Sequence, residues 1–305
     1  MTTETLCTWI KQPLATFTST EADASDGIVV SNGVITQIIG KGQSPAGRID
    51  CVFDARQHVL LPGLINTHHH FYQTLTRAMP DAVNKKLFDW LKSLYPVWAG
   101  LSPEMIQSSS QVALIELLQS GCTTTADHHY IFSNQLENAI DIEVEAAKAI
   151  GCRVVLARGS MSLGEEDGGL PPRKTIQRPE TIMEDSERVI KKFHNRGAGA
   201  FVQIALAPCS PFSVSEDLMK STALLARELD VRLHTHLAET QDEEAFCLQR
   251  FGVRPLEYLE QMGWLHSGTW VAHGVHFNRK EISQLGSAKV GITHCPTSNM
   301  LLGSG

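Results

Sequence analysis

Short runs rich in aliphatic and β-branched residues alternate with longer stretches whose apolar positions recur at helical spacing, and this alternation repeats along most of the chain. From Val59 onward the segments 59–66, 123–128, 153–158, 201–207, 231–237, 269–273 and 290–294 read as strands. The stretches between them read as helices with recognisable ends. Ser102-Pro103 sets a cap before a first-turn proline, and the helix it opens carries Val112, Ile115 and Leu118 to a stop at Gly121. Ser213-x-x-Glu216 reads as a capping box ahead of Leu218, Thr222, Leu225, Ala226 and Leu229, which share one face. Before Val59 the pattern differs: two apolar runs flank Asn32-Gly33, the signature of a tight hairpin, within a small β segment.

Strand–helix alternation of this length implies an α/β fold with parallel strands, either an open doubly wound sheet or a (β/α)8 TIM barrel. Periodicity alone does not choose between them. The polar residues do, because barrel enzymes gather their chemistry at the C-terminal ends of several strands. Ten of the 13 histidines lie at or just past a strand end: His68, His69, His70, His128, His129, His234, His236, His273, His276 and His294. One such histidine is an ordinary structural residue, but ten at one barrel mouth point to a metal, which needs several neutral imidazoles together. His68-x-His70 puts two imidazoles on one side of a strand and turns His69 the other way. His236 supplies a third nitrogen from the fifth strand, with His234 one step deeper on the same face.

Composition narrows the class. With 305 residues, 42% of them hydrophobic, the chain can bury a large core. A net charge of -7 without a basic run argues against nucleic-acid binding. The seven cysteines are scattered, with no C-x-x-C pair, and read as free thiols of a reducing compartment. Met1 to Phe17 lacks the apolar stretch of a signal peptide, and no later segment approaches a membrane span, so the expected location is the cytoplasm. The charge and apolar pattern are compatible with a homo-oligomer.

Pro62-Gly63-Leu64-Ile65-Asn66-Thr67-His68-His69-His70 resembles the opening motif of the amidohydrolase superfamily. His234-Thr235-His236-Leu237-Ala238-Glu239-Thr240 resembles its fifth-strand motif, Ala272-His273-Gly274-Val275-His276 its sixth, and His294-Cys295-Pro296-Thr297-Ser298-Asn299 its seventh. The versions present are similar to the aminohydrolase branch. Segments 70–77 and 158–164 look like the 8-oxoguanine deaminase group, with hydroxydechloroatrazine ethylaminohydrolases as near neighbours. The resemblance implies a barrel over 59–305, with residues 1–58 forming the N-terminal part of a composite β-sandwich.

It also implies hydrolytic deamination of a nitrogen heterocycle, 8-oxoguanine or a related purine or pyrimidine such as isocytosine, with release of ammonia. His68, His70 and His236 would hold one divalent ion, zinc first, with iron or manganese also suited to the donor set. Glu239 would donate a proton to the ring and His273 would orient the attacking water. Gln73, Arg158 and His294 are the expected substrate contacts, and Trp90, Tyr95 and Trp98 read as packing or as a stacking surface. No lysine lies on the fourth strand to bridge a second ion, so a single metal is expected. The chain stops at Gly305, soon after the seventh strand, so the resemblance puts the eighth strand and an Asp ligand outside it. That reading implies an incomplete barrel with two unpaired edges, poorly soluble and inactive by itself. The alternatives are a triazine aminohydrolase or chlorohydrolase, and an inactive metal-binding fragment.

Overall fold

A computed structural model describes residues 6–17, 22–133, 135–197 and 199–305, so the first five residues of the leader reading lie outside it. Its contacts divide the chain into Met1–Leu64 and Ile65–Gly305. In the first unit, β1 (Cys7–Lys11) pairs antiparallel with β3 (Gly27–Ser31) and parallel with β5 (Cys51–Asp54). β4 (Val34–Ile39) pairs antiparallel with β3 through the hairpin expected at Asn32-Gly33, where φ is 50° and 72°. Positive φ at both turn residues is what a two-residue hairpin requires. β2 (Ala15–Thr16) pairs with β6 (Val59–Leu60).

The run 59–66 is thus two strands, because Pro62 has no N–H to give a ladder. Its second part, β7 (Leu64–Asn66), begins a seven-stranded sheet that runs in chain order through β8 (Cys122–His129), β9 (Arg153–Ser160), β10 (Val202–Pro208), β11 (Arg232–Leu237), β12 (Thr269–His273) and β13 (Gly291–Thr293). The pairs from β8 to β13 are parallel. The sheet is curled: Thr67 Oγ1, just past β7, meets Thr293 Oγ1 of β13 at 2.8 Å, and Trp270 Nε1 donates to the Thr67 carbonyl at 3.1 Å.

Nine helices accompany these strands among the described residues: α1 (Leu87–Trp98), α2 (Pro103–Gln119), α3 (Ala139–Ile150), α4 (Pro179–Phe193), α5 (Glu216–Glu228), α6 (Gln241–Phe251), α7 (Pro255–Gln261), α8 (Arg279–Ala288) and α9 (Pro296–Leu302). α2 starts as expected, with Ser102 Oγ accepting from Met105 N at 3.3 Å. α5 does not. Its cap position is Ser215, while Ser213 Oγ is engaged by Ser210, so the Ser213 box is not formed.

Strand alternation sorts the two faces. Val154, Leu156, Ile204, Leu206, Leu233 and Val271 pack in the main core against the helices. Val155, Ala157, Ala205, Ala207 and Trp270 cluster on the opposite, inner face, where small side chains leave room at the strand ends. Gly159 is needed there, since a Cβ would fall 2.4 Å from the His129 carbonyl oxygen and 2.6 Å from Tyr130 Cβ.

Candidate active site

Register places His128 beside Ala157, and His234 and His236 beside Trp270 and Ala272, so all three face inward. His68 and His70, leaving β7, meet them. Ring centroids lie 4.7 Å apart for His68–His70, 4.9 Å for His68–His236 and 5.2 Å for His70–His236.

The hydrogen bonds decide which nitrogens are free. His70 Nδ1 lies 2.7 Å from the His128 carbonyl oxygen and His236 Nδ1 lies 2.7 Å from that of Cys209. Carbonyls only accept, so both Nδ1 atoms carry the hydrogen and both Nε2 atoms carry a lone pair. Those two Nε2 atoms face each other at 3.1 Å. His234 Nδ1 likewise donates to the Trp270 carbonyl at 3.0 Å, so its Nε2 accepts from His68 Nδ1 at 2.8 Å. His68 Nε2 is left as a third lone pair. Burial holds all these rings neutral, with His234 lowered to about 3, His236 to about 4, and His68 and His70 well below the usual range. Opposed lone pairs at 3.1 Å repel unless a cation lies between them, and zinc–nitrogen bonds of about 2.0–2.1 Å bring tetrahedral ligands to about that separation. The donor set therefore fits a divalent ion.

Two other groupings lie within reach. His128 stacks on His236 at 4.7 Å, and its Nδ1 is buried without a hydrogen bond. It falls with His68 and His236 in one set whose ligand atoms are all within 4.8 Å, and His68, His273 and Cys295 form another such set.

Glu239 is buried in the turn after β11, where Ala238 has φ 52°. Glu243, in the first turn of α6, shapes that turn: its Oε1 accepts from Ala238 N at 2.7 Å and its Oε2 from Glu239 N at 2.9 Å. Burial first, and then the Glu243 carboxyl, push Glu239 up to about 8, so it holds a proton at neutral pH. His273 Nε2 is 3.3 Å from Glu239 Oε2. Asn299 of α9 donates from Nδ2 to His273 Nδ1 at 3.1 Å, which leaves the ring hydrogen on Nε2, toward Glu239. By register His273 pairs with Leu237 and would face the helices. Its φ of 75°, unusual for a non-glycine residue, swings it to the inner side instead.

Gln73 sits in a single 3-10 helix, Phe71–Thr76, with Nε2 3.3 Å from Tyr130 Oη and 3.4 Å from Tyr72 Oη. Tyr130 in turn lies 5.3 Å from the His70 ring. Arg158 points the other way. It pairs with Leu206 on the helix side, is fully buried, and donates to Asp185 Oδ2 (2.9 Å), Gln177 Oε1 (3.0 Å) and the Gly159 carbonyl (2.6 Å), with its guanidinium 3.9 Å above Phe132. Three of its five N–H groups are engaged in the wall, and the side chain lies on the helix side of the sheet, away from the inner face where the histidines meet. His294 is exposed and makes no ring contact with the cluster among the described residues. Tyr95 and Trp98 are buried in the core, and Trp98 also contacts Trp90 and Tyr72 edge-on at 5.3 Å, which is packing.

Sequence reasoning missed Asn299, Glu243 and Tyr130. Thr240-x-x-Glu243 had the form of a helix cap, and Asn299 stood at the end of a quoted motif, but neither signal carried a role.

A family model described as the amidohydrolase family matches residues 59–305, and the chain belongs to that family. Over 98% of its length it is 60% identical to an 8-oxoguanine deaminase of Pseudomonas aeruginosa, and over 87% it is 34% identical to a hydroxydechloroatrazine ethylaminohydrolase of a Pseudomonas species. The chain spans 66% and 55% of those two relatives. Among solved structures it is similar to an atrazine chlorohydrolase of Arthrobacter aurescens complexed with zinc, with a TM-score of 0.86 and 29% identity over 98% of this chain and 67% of that one. Seven cysteines are free, and no helix among the described residues is long and apolar enough to cross a membrane.

Proposed function

We propose that this protein is a metal-dependent aminohydrolase that deaminates 8-oxoguanine or a related oxidised purine or pyrimidine and releases ammonia. The observation that carries the reading is the pair of lone-pair nitrogens, His70 Nε2 and His236 Nε2, opposed at 3.1 Å, with the buried Glu239 carboxyl 3.3 Å from His273 Nε2. His68, His70 and His236 are the metal ligands, and zinc is the ion, in keeping with the zinc complex of the chlorohydrolase. A divalent ion held there supplies Lewis acidity that makes water a nucleophile at neutral pH. The curled sheet is read as part of a (β/α)8 barrel, with the residues before Val59 contributing to a β-sandwich. Free thiols accord with a cytoplasmic protein.

The chain's own groups then divide the work. Glu239 delivers its proton to the ring nitrogen next to the attacked carbon, which lets that carbon become tetrahedral without building a bare anion. His273, its tautomer set by Asn299, holds Nε2–H toward Glu239 and the oxygen nucleophile. Gln73 offers an amide to the purine lactam, steadied by Tyr72 and Tyr130. The 60% identity to the deaminase favours this over dehalogenation or alkylamine release from a triazine. Zinc-loaded protein supplied separately with 8-oxoguanine, isocytosine, an aminotriazine and a chlorotriazine is expected to release ammonia from the first two. Chloride or alkylamine as the main product would refute the reading.

A further inference from the structure

Asp127, His129 and Glu143 form a second polar cluster, on the helix side of the sheet, that the chemistry above does not use. All three are wholly buried, and their ligand-type atoms lie within 4.8 Å of one another. His129 Nε2 donates to the Ile131 carbonyl at 2.7 Å, yet its Nδ1 lies 2.8 Å from Glu143 Oε1. A proton must therefore sit between those two atoms, on the ring or on the carboxyl. Asp127 Oδ1 accepts from the Phe71 backbone N–H at 2.6 Å, while its Oδ2 and both Glu143 oxygens are buried without a hydrogen bond of regular geometry. Burial pushes both carboxyls up, Glu143 to about 8, as fits a shared proton rather than two bare charges.

The consequence lies in what Asp127 grips. The end of β8 holds the corner 69–71 at three points: His128 N to the His69 carbonyl at 2.7 Å, His70 Nδ1 to the His128 carbonyl at 2.7 Å, and Phe71 N to Asp127 Oδ1 at 2.6 Å. The first is backbone only and the second uses the ligand's own ring. Only the third depends on a side chain outside the site, and that side chain packs within 4.8 Å of Glu143 of α3 and of His129. We infer that Asp127, locked by Glu143 and His129, is a positioning residue that fixes the corner after β7 and thereby aims His70 at His236 and Gln73 at Tyr130. The inference rests on the metal reading of His68, His70 and His236.

The test compares zinc affinity, by competition with a chromophoric chelator, and the cobalt absorption spectrum across variants. Asp127→Ala is expected to weaken zinc about 10–100-fold, the loss typical when the outer supports of metal ligands are removed, and to shift the cobalt bands. Asp127→Asn keeps an acceptor for Phe71 and is expected to restore both. Leu114→Ala, which opens the buried core, should lower stability and move neither. Should Asp127→Ala not fold, Glu143→Leu, which frees the Asp127 side chain, is read the same way. Wild-type zinc affinity and spectrum in Asp127→Ala, with zinc lost in His70→Ala, would overturn the positioning role and leave the metal reading intact. Wild-type affinity in His70→Ala would remove the metal reading and this inference with it. A second zinc equivalent that vanishes in Glu143→Gln would also overturn the inference, by making the cluster an ion site.

Discussion

Glu243 offers the sharpest single perturbation, because one buried carboxylate does two separable things. Its oxygens accept the Ala238 and Glu239 N–H groups at 2.7 and 2.9 Å, and both residues are nearly inaccessible. Glu243→Ala strands two buried donors, each costing about 1–3 kcal/mol, so a loss of about 2–6 kcal/mol is expected. Glu243→Gln keeps one acceptor and turns an amide N–H2 against the other donor, so about 1–3 kcal/mol is expected. The second effect is electrostatic. Glu239 is raised to about 8 by burial and, next, by Glu243, which burial itself raises to about 7, so of the two buried carboxyls Glu239 is the one that keeps its proton to higher pH. A proton donor raised to about 8 gives activity that is held below that pH and lost above it. Removing the Glu243 charge lowers Glu239 toward its ordinary value, so the alkaline limb of kcat/KM should move to lower pH, by less than burial alone contributes. Chemical denaturation of the zinc-loaded protein gives the stability change, and ammonia release from pH 5 to 10 gives the limb. A Glu243→Gln protein with wild-type stability, or with its alkaline limb unmoved or moved upward, would refute the argument.

Glu239→Gln removes the proton without touching the three nitrogens, so zinc content should stay at wild-type level while kcat falls about 10²–10⁴-fold; zinc lost from this variant would make Glu239 a ligand. Arg158→Met breaks a buried ion pair with Asp185 and should cost about 3–5 kcal/mol in stability, partly offset because Arg188 also reaches Asp185 at 2.8 Å, with KM unchanged. A KM raised more than about tenfold at wild-type stability would return Arg158 to the substrate.

Much of this architecture was legible because the physics that writes it is local and periodic. Alternation of apolar runs located the seven strands, Ser102-Pro103 marked a true helix start, and Asn32-Gly33 marked a true hairpin. The period of two also sent His68 and His70 to one side. The same rule, carried to β9, would have turned Arg158 away from the mouth, since it shares its face with Leu156 and Leu206. A charge at a strand end is a poor guide without its parity. Parity misleads in turn at His273, where Trp270 and Ala272 face inward and the next histidine should not. A left-handed backbone at that residue reverses the rule, and no residue type announces it.

Capping signatures show where local reading stops. Ser213-x-x-Glu216 has the right letters, but Ser210 captures the serine hydroxyl and the helix starts two residues later. Thr240-x-x-Glu243 also has the right letters, and Thr240 does cap α6, accepting from Glu243 N at 3.2 Å. The reciprocal half of the box is what departs. In a capping box the third-position carboxylate returns to the N–H of the cap residue itself. Here it reaches one and two residues further back, to Glu239 and Ala238. A motif that elsewhere only ends a helix has been shifted so that its carboxylate holds the backbone of Glu239 in place, and the shift depends on the left-handed Ala238, a conformation that the four letters do not encode.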